Sequence, residues 1–175
     1  MFDRSSDETT GHHIFLEPED ALRGELSQKI RDLAHAHDGS VFVPHVTLLA
    51  RIEGEHVIER TQAFAHSLEP FTLTLGELGG EDEYFRAFYI RIKEDDALQR
   101  AHERALALFE MEDARPYLPH LSLLYGNLTE QERAALIRDT AYPSDVSFAV
   151  SRLHLYETHG KADQWRKIGE YPFGA

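Results

Sequence analysis

One hexapeptide, built around a histidine, occurs twice in the chain. Residues 44–49 have the sequence Pro-His-Val-Thr-Leu-Leu, and residues 119–124, displaced by 75 positions, have the sequence Pro-His-Leu-Ser-Leu-Leu. Every position is either identical or conservatively replaced. An internal repeat constrains a fold strongly, because each copy forms the same supersecondary unit and the copies have to pack on one another. The sequence therefore predicts a duplicated fold.

The similarity between the two halves extends beyond the hexapeptides. The tetrapeptide Glu19–Leu22 returns as Asp95–Leu98 at a displacement of 76, and each copy opens a helical pattern with an acidic first turn. A second helical pattern follows each hexapeptide, at about 55–68 and 129–139, and the later one begins with a capping-box sequence. The helices are thus predicted to be duplicated together with the histidine segments.

Strand patterns complete each half and define the expected fold class. Apolar stretches precede the tetrapeptides, and alternating patterns occupy residues 71–75, 84–93, 146–156 and 165–173. Each half is then strand, helix, histidine strand, helix, strand, which is typical of a mixed α+β fold. We expect a bilobal molecule with a pseudo-twofold axis, two antiparallel sheets flanked by helices, and a cleft between the lobes.

The absence of a linker predicts one domain. We expect residues 1–11 to be a polar N-terminal tail and residues 12–175 to form a single bilobal domain. Its duplicated halves are roughly residues 12–83 and 84–175.

The repeated motif carries two kinds of functional side chain. Residues two apart in a strand face the same side, so His45 shares a face with Thr47, and His120 shares a face with Ser122. Across a pseudo-twofold axis, two imidazoles and two hydroxyls then converge on one volume. A neutral imidazole accepts a proton from water as general base, and a protonated one donates to a leaving alkoxide as general acid. Hydroxyls donate to phosphate oxygens. The set suits hydrolysis of a phosphodiester.

Composition excludes several other classes of protein. With 18 basic and 31 acidic residues the formal net charge is −13, which disfavours binding of a long nucleic acid but leaves a small phosphate ester acceptable. The chain has no cysteine, which excludes disulfides, thiolate metal sites and cysteine nucleophiles. There is no apolar run of membrane-spanning length, and the start is polar. We expect a cytoplasmic protein, a monomer, with no membrane partner.

The residues around the two histidines resemble a known family. The segments Val43–Thr47 and Tyr117–Gly126 resemble the two signatures of the two-histidine phosphoesterase superfamily, and the nearest branch is the cyclic phosphodiesterases of the plant and yeast type. Leu16–Glu19, residues 128–132 and Trp165 extend the resemblance over nearly the whole chain from about residue 12. Plant members carry cysteines and this chain has none, so redox behaviour does not transfer.

The resemblance implies a specific activity. It implies hydrolysis of 2′,3′-cyclic nucleotides to 2′-phosphates, or of ADP-ribose 1″,2″-cyclic phosphate, without metal or cofactor. By position, His45 and His120 are the catalytic pair, and Thr47 and Ser122 are phosphate ligands. Tyr125 would flank the pocket, or be a packed core tyrosine. Analogy with vertebrate relatives favours His45 as acid and His120 as base, although the sequence motif itself leaves those roles open.

Phe85 and the remaining histidines complete the assignments. Phe85 would stack on a base or a sugar of a small cyclic-phosphate nucleotide, with core packing as the alternative. The nine other histidines of the chain, including the adjacent His12 and His13, are interpreted as solvated or packed because none belongs to the repeat.

Three other functions are compatible with the motif. The first is an RNA 2′,3′-cyclic phosphate end-processing enzyme of the ligase-like type, which the net charge disfavours. The second is a metal hydrolase with His45 and His120 as ligands, which lacks an obvious third ligand. The third is a non-catalytic nucleotide-binding module, which the intact motifs disfavour. No metal site is therefore predicted.

Overall fold

A computed structural model describes residues 6–174, so residues 1–5 of the predicted tail and residue 175 lie outside the described part. Within that part the chain forms four helices and eight strands. Their bounds are β1 His12–Leu16, α1 Asp20–Ala36, β2 Val46–Ile52, α2 Val57–His66, β3 Phe71–Gly79, β4 Phe88–Ile92, α3 Asp96–Phe109, β5 His120–Leu124, α4 Glu130–Asp139, β6 Ser147–Val150, β7 Arg152–Glu157 and β8 Arg166–Pro172.

The predicted helix starts are held by side-chain caps in the second half. The Asp95 carboxylate accepts a hydrogen bond from the backbone N–H of Leu98 at 2.8 Å and so caps α3. Thr129 and Glu132 form the reciprocal capping box of α4, as their spacing predicts. The predicted helix at 55–68 is shorter, because His56 takes a left-handed conformation (φ 60°) and α2 begins only after it.

The two predicted antiparallel sheets are the two halves of one continuous sheet. Its strand order is β6-β3-β4-β5-β2-β1-β7-β8. A single antiparallel pair of residues, Val46 with Leu121, joins the half with β5 to the half with β2. The mixed α+β class and the antiparallel pairing are thus confirmed, and the difference is that the motif strands themselves close the gap between the sheets.

Each half-sheet contains strands from both halves of the chain. β3 pairs with β4 rather than with β1 or β2, whereas β7 pairs with β1. The predicted strand at 146–156 is accordingly broken between Val150 and Arg152, because β6 and β7 lie at different ends of the sheet. The predicted strand at 84–93 begins only at Phe88, since a single 3₁₀ turn, Tyr84–Arg86, precedes it.

The helices bury one face of this sheet and leave the other face to the motif. Residues that alternate with the histidine motif are fully buried; they include Val46, Leu48, Leu121 and Leu123. α3 packs on β2 and α1 packs on β5, so each motif strand is covered by a helix from the other half. None of the helices within residues 6–174 is long and apolar enough to cross a membrane. The core thus fixes the two motif strands side by side.

The junction of the two half-sheets predicts a strong effect of truncation. Leu121→Ala should lower the free energy of unfolding by about 2–5 kcal/mol, because Leu121 is fully buried and pairs with the other half-sheet. Chemical denaturation measures the change. Ile137→Ala, at a side chain that is 38% exposed on α4, is the control and should change stability by less than about 1 kcal/mol. Equal effects of the two variants would contradict the proposed importance of the junction.

Candidate active site

The strand register brings the four motif side chains to one face. Val46 pairs with Leu121 in an antiparallel ladder. Continuing that register by one residue in each direction sets His45 opposite Ser122 and Thr47 opposite His120. The two imidazoles and two hydroxyls therefore occupy one compact patch, related by the pseudo-twofold axis.

Both imidazoles are oriented by the same backbone contact. Nδ1 of His45 lies 2.7 Å from the carbonyl oxygen of Val43, and Nδ1 of His120 lies 2.8 Å from the carbonyl oxygen of Leu118. A carbonyl only accepts, so each Nδ1 carries the hydrogen and donates it. In the neutral rings Nε2 is therefore the basic nitrogen. The duplication thus repeats the tautomer as well as the residue type.

Burial lowers the pKa of both motif histidines. The pKa of His45 and that of His120 are each lowered from 6.5 to about 4, chiefly because burial penalises the charged ring. The bonds to Val43 and Leu118 oppose this effect by stabilising the imidazolium. Both rings are therefore neutral at neutral pH in the free protein.

The charges around the two rings differ in sign. Besides burial and the backbone bond, Glu17 raises the pKa of His45. For His120, the charges of Arg86 and His45 lower the pKa further, while Glu83 raises it. The effect of the His45 charge on His120 indicates that the two rings lie within electrostatic reach. The two halves therefore present equivalent rings in inequivalent fields.

Glu17 is a buried carboxylate held by several donors. The Tyr156 hydroxyl donates to Oε1 at 2.7 Å, Arg23 Nη1 donates to Oε2 at 2.9 Å, and Lys167 Nζ lies 3.2 Å from Oε1. Burial alone would raise the pKa of Glu17, but the bond from Tyr156 and the charges of His154 and Lys167 outweigh it, so the pKa is lowered. A permanent negative charge therefore stands behind His45.

Aromatic rings form the walls around His45. Phe15 stacks on the His45 ring, with centroids 3.7 Å apart and an interplanar angle of 19°. Trp165 lies edge-on to His45 at 6.3 Å. Trp165 also faces Phe85 at 5.9 Å and lies 6.0 Å from Tyr125. These rings together form an aromatic chamber around His45.

The structure brings all six sequence-predicted side chains into this region. Ser122 Oγ donates to the carbonyl oxygen of Phe85 at 3.3 Å, and the Tyr125 hydroxyl lies 3.5 Å from Nε2 of His45. Tyr125 is buried and stacks on Phe42 at 3.8 Å, and burial raises its pKa. Thr47 is half-buried on the same strand face as His45. Tyr125 is thus both a packed residue and a wall of the site.

Sequence reasoning missed four residues of this chamber. Phe15, Glu17, His13 and Trp165 lie outside the repeated hexapeptide; His13 and Phe15 lie on β1, and Glu17 directly follows it. The signal was present in β1 and the residue after it, where residues 13, 15 and 17 alternate onto one face. Without the pairing of β1 with β2, nothing in the sequence indicates which face of β1 meets the histidines.

The donor groups of the region do not form a cluster suited to a metal ion. Among residues 6–174, no three histidine, aspartate or glutamate side chains come together as ligands. A catalytic zinc site generally has three protein ligands.

Comparison with known proteins identifies relatives of the whole chain. A family model described as the 2′-5′ RNA ligase superfamily matches residues 18–162. The chain is 25% identical over 154 residues to a cyclic phosphodiesterase of Arabidopsis thaliana, with 84% of each chain covered. It is 27% identical over 191 aligned residues to a 2′,3′-cyclic-nucleotide 3′-phosphodiesterase of Phaeosphaeria nodorum, covering 91% of this chain and 97% of that protein.

A solved structure has the same fold. Escherichia coli LigT, in complex with 3′-AMP, superposes with a TM-score of 0.62 at 15% identity, covering 95% of this chain and 99% of LigT. At that identity the likeness concerns the fold alone. The chain therefore shares the overall fold of LigT.

The lowered pKa values predict the behaviour of the two rings in solution. In the free protein His45 and His120 should titrate near pH 4, so both are neutral at pH 7 and charge only as the pH falls. Inorganic phosphate should raise both pKa values, because an anion between the rings stabilises their charged forms. Histidine-selective NMR measures the titrations, and chloride at equal ionic strength is the control. A pKa at or above 6.5 in the free protein would contradict the burial argument.

Proposed function

This chain belongs to the 2′-5′ RNA ligase superfamily, the two-histidine phosphoesterases, and on that premise we propose that it hydrolyses small cyclic phosphodiesters by general acid and base catalysis. The proposed substrates are 2′,3′-cyclic nucleotides or ADP-ribose 1″,2″-cyclic phosphate. The observation that carries the proposal is the pair of equivalent imidazoles, each with Nδ1 held by a backbone carbonyl. Relatives named as cyclic phosphodiesterases, over 84% or more of this chain, support the same reaction.

The proposed reaction is a direct displacement at phosphorus. The cyclic phosphate lies between the two Nε2 atoms, and the hydroxyls of Thr47 and Ser122 donate to its non-bridging oxygens. Water attacks phosphorus and gives its proton to the neutral imidazole, while the bond from phosphorus to a ring oxygen breaks. The released alkoxide takes a proton from the protonated imidazole. Each proton transfer contributes about 10²–10⁴ in rate.

The charges near each ring support one assignment of the two roles. Glu17 raises the pKa of His45, so His45 is the better-placed acid. Arg86 lowers the pKa of His120, so His120 is the better-placed base. With both pKa values near 4 in the free protein, the acid must gain its proton together with the substrate. The negative charge of the cyclic phosphate supplies the stabilisation that this proton needs.

The surroundings of the site favour a small substrate over an RNA end. Two arginines in this region are already engaged with carboxylates: Arg115 forms a bidentate pair with Glu83, with both contacts at 2.8 Å, and Arg86, whose charge acts on His120, lies 3.6 Å from Glu81. A polynucleotide backbone would have to compete with these carboxylates. The net charge of −13 adds long-range repulsion that grows with the length of the substrate.

Substitution of the motif residues tests the mechanism. His45→Ala and His120→Ala should each lower kcat on adenosine 2′,3′-cyclic phosphate by about 10²–10⁴. Thr47→Ala and Ser122→Ala should lower kcat/KM by about tenfold to a hundredfold, because each removes one hydrogen bond to the phosphate. His35→Ala, at an exposed histidine of α1, is the control and should leave turnover unchanged. Near-normal turnover by either motif-histidine variant would refute the assignment.

The same variants separate acid from base. A p-nitrophenyl phosphodiester needs no proton on its leaving group. On that substrate the kcat of His45→Ala should therefore be close to that of the unsubstituted protein. The kcat of His120→Ala should remain low. The reverse pattern would exchange the two roles without affecting the proposed reaction.

Substrate length and metal dependence separate the proposal from the rival enzymes. Catalytic efficiency on an oligoadenylate with a 2′,3′-cyclic end should not exceed that on the mononucleotide, and lowering the salt from about 200 to about 50 mM should not change this order. Prolonged chelation should leave turnover unchanged. A preference for the oligonucleotide that weakens as salt rises would favour the RNA-end enzyme. Activity lost on chelation and restored by zinc would favour a metal hydrolase.

A further inference from the structure

Two neighbouring rings of the chamber each bury a nitrogen without a partner. Nε2 of His13 and Nε1 of Trp165 are buried, and neither has a hydrogen-bond partner within the described residues 6–174. The two ring centroids lie 6.0 Å apart. His13 is only 8% exposed. Both orphan atoms therefore belong to one pair of adjoining side chains.

Orphan polar atoms of this kind are costly and uncommon. A buried nitrogen without a hydrogen bond retains the cost of its desolvation, which is about 1–3 kcal/mol for a neutral group. Most buried polar side-chain atoms in proteins have a partner. An apolar ring at position 13 or 165 would avoid this cost while filling the same space. Three other buried nitrogens also lack a hydrogen-bond partner within the described residues, on Arg133, Arg152 and His154, but only His13 and Trp165 adjoin one another beside His45.

The pair adjoins the proposed catalytic centre. His13 and Phe15 lie on the same face of β1 with centroids 5.8 Å apart, and Phe15 stacks on His45. Trp165 lies 6.3 Å from His45 and faces Phe85. The charge of His45 also acts on His13. The pair is therefore next to the imidazole that is proposed to contact the phosphate.

We propose that His13 and Trp165 together bind one uncharged oxygen atom of the substrate's nucleoside, and so position the cyclic phosphate between the histidines. This inference rests on the function proposed above. The indole N–H donates to that oxygen. A hydroxyl oxygen returns a hydrogen bond to an unprotonated Nε2 of His13, and a carbonyl oxygen accepts one from a protonated Nε2. Two oxygen atoms of a nucleoside can accept the indole hydrogen bond in this way: the 5′-hydroxyl of the sugar and a carbonyl of the base.

The electrostatics of His13 favour a neutral group. Burial, and then the positive charges of His45 and Arg51, lower the pKa of His13 to about 3. The ring is therefore neutral under ordinary conditions and offers no charge to a second phosphate. A neutral oxygen needs only the two hydrogen bonds that this pair offers.

Variants that preserve ring shape test the pair. His13→Phe and Trp165→Phe each remove one orphan nitrogen and keep an aromatic ring. Each should raise KM for uridine 2′,3′-cyclic phosphate by about 5- to 100-fold with kcat changed less than about threefold. The double variant should be little worse than either single variant, because both nitrogens bind the same atom. His12→Phe, the same change at the adjacent residue on the opposite strand face, should leave KM unchanged.

Three further substrates identify the oxygen. Adenosine 2′,3′-cyclic phosphate has no base carbonyl, and the 5′-deoxy forms of the adenosine and uridine compounds lack the sugar hydroxyl. If the variants raise KM for the adenosine and uridine cyclic phosphates but not for their 5′-deoxy forms, the bound oxygen is the 5′-hydroxyl. Effects confined to the uridine compounds assign the carbonyl. Unchanged KM values on all four substrates in both single variants would overturn the proposal.

Stability distinguishes this role from a structural one. No hydrogen bond within the described residues is lost in His13→Phe, so its Tm should be equal to or above that of the unsubstituted protein. A lowered Tm together with an unchanged KM would show that His13 serves packing alone, and would overturn the inference. If the unsubstituted protein fails to turn over every cyclic phosphate, the proposed function fails first. Calorimetric titration with uridine 2′-phosphate then tests the pair, and absent binding, or equal binding by His13→Phe, overturns it.

Discussion

The pairing of Val46 with Leu121 is the interaction on which the rest of the site depends. Within residues 6–174 it is the one strand-paired couple of residues that joins the two half-sheets, and both residues are fully buried. Their burial fixes the register, and a slip by one residue would turn every motif side chain to the opposite face. The helices that cover β2 and β5 hold this pair from behind. The apolar side of the motif therefore determines where its polar side points.

The same burial has a second consequence, for the protonation of the site. Desolvation lowers the pKa of His45 and of His120 to about 4, while the carbonyls of Val43 and Leu118 fix each ring with Nε2 as the basic nitrogen. The free protein thus holds two bases and no acid. Because an anionic phosphate raises the pKa of a facing imidazole, substrate and proton are expected to bind together. In the proposed reaction this coupling means that a protonated imidazole is present only when the substrate is bound.

The parts of this arrangement that local sequence determines were predictable, and the parts that depend on long-range pairing were not. The repeat at His45 and His120, and the capping box at Thr129, follow from short-range patterns and are found as expected. The exchange of β3 and β7 between lobes depends on pairings that no local pattern encodes. His13 was interpreted as solvated or packed for the same reason: its environment is supplied by Trp165, 152 positions away in the chain.

A duplicated site faces one difficulty, since acid and base catalysis needs two unlike rings and a repeat supplies two alike. The strands beside the motif resolve it. In the first half Leu16 pairs with Val46, and the next step along the same register sets Glu17 opposite His45. In the second half Ile90 pairs with Leu121, and Arg91 pairs with His120. The equivalent strand positions thus carry side chains of opposite charge, and the guanidinium that lowers the pKa of His120 is that of Arg86, in the turn before β4. The repeat supplies the geometry, while Glu17 raises the pKa of His45 and Arg86 lowers that of His120, the directions that the proposed reaction requires.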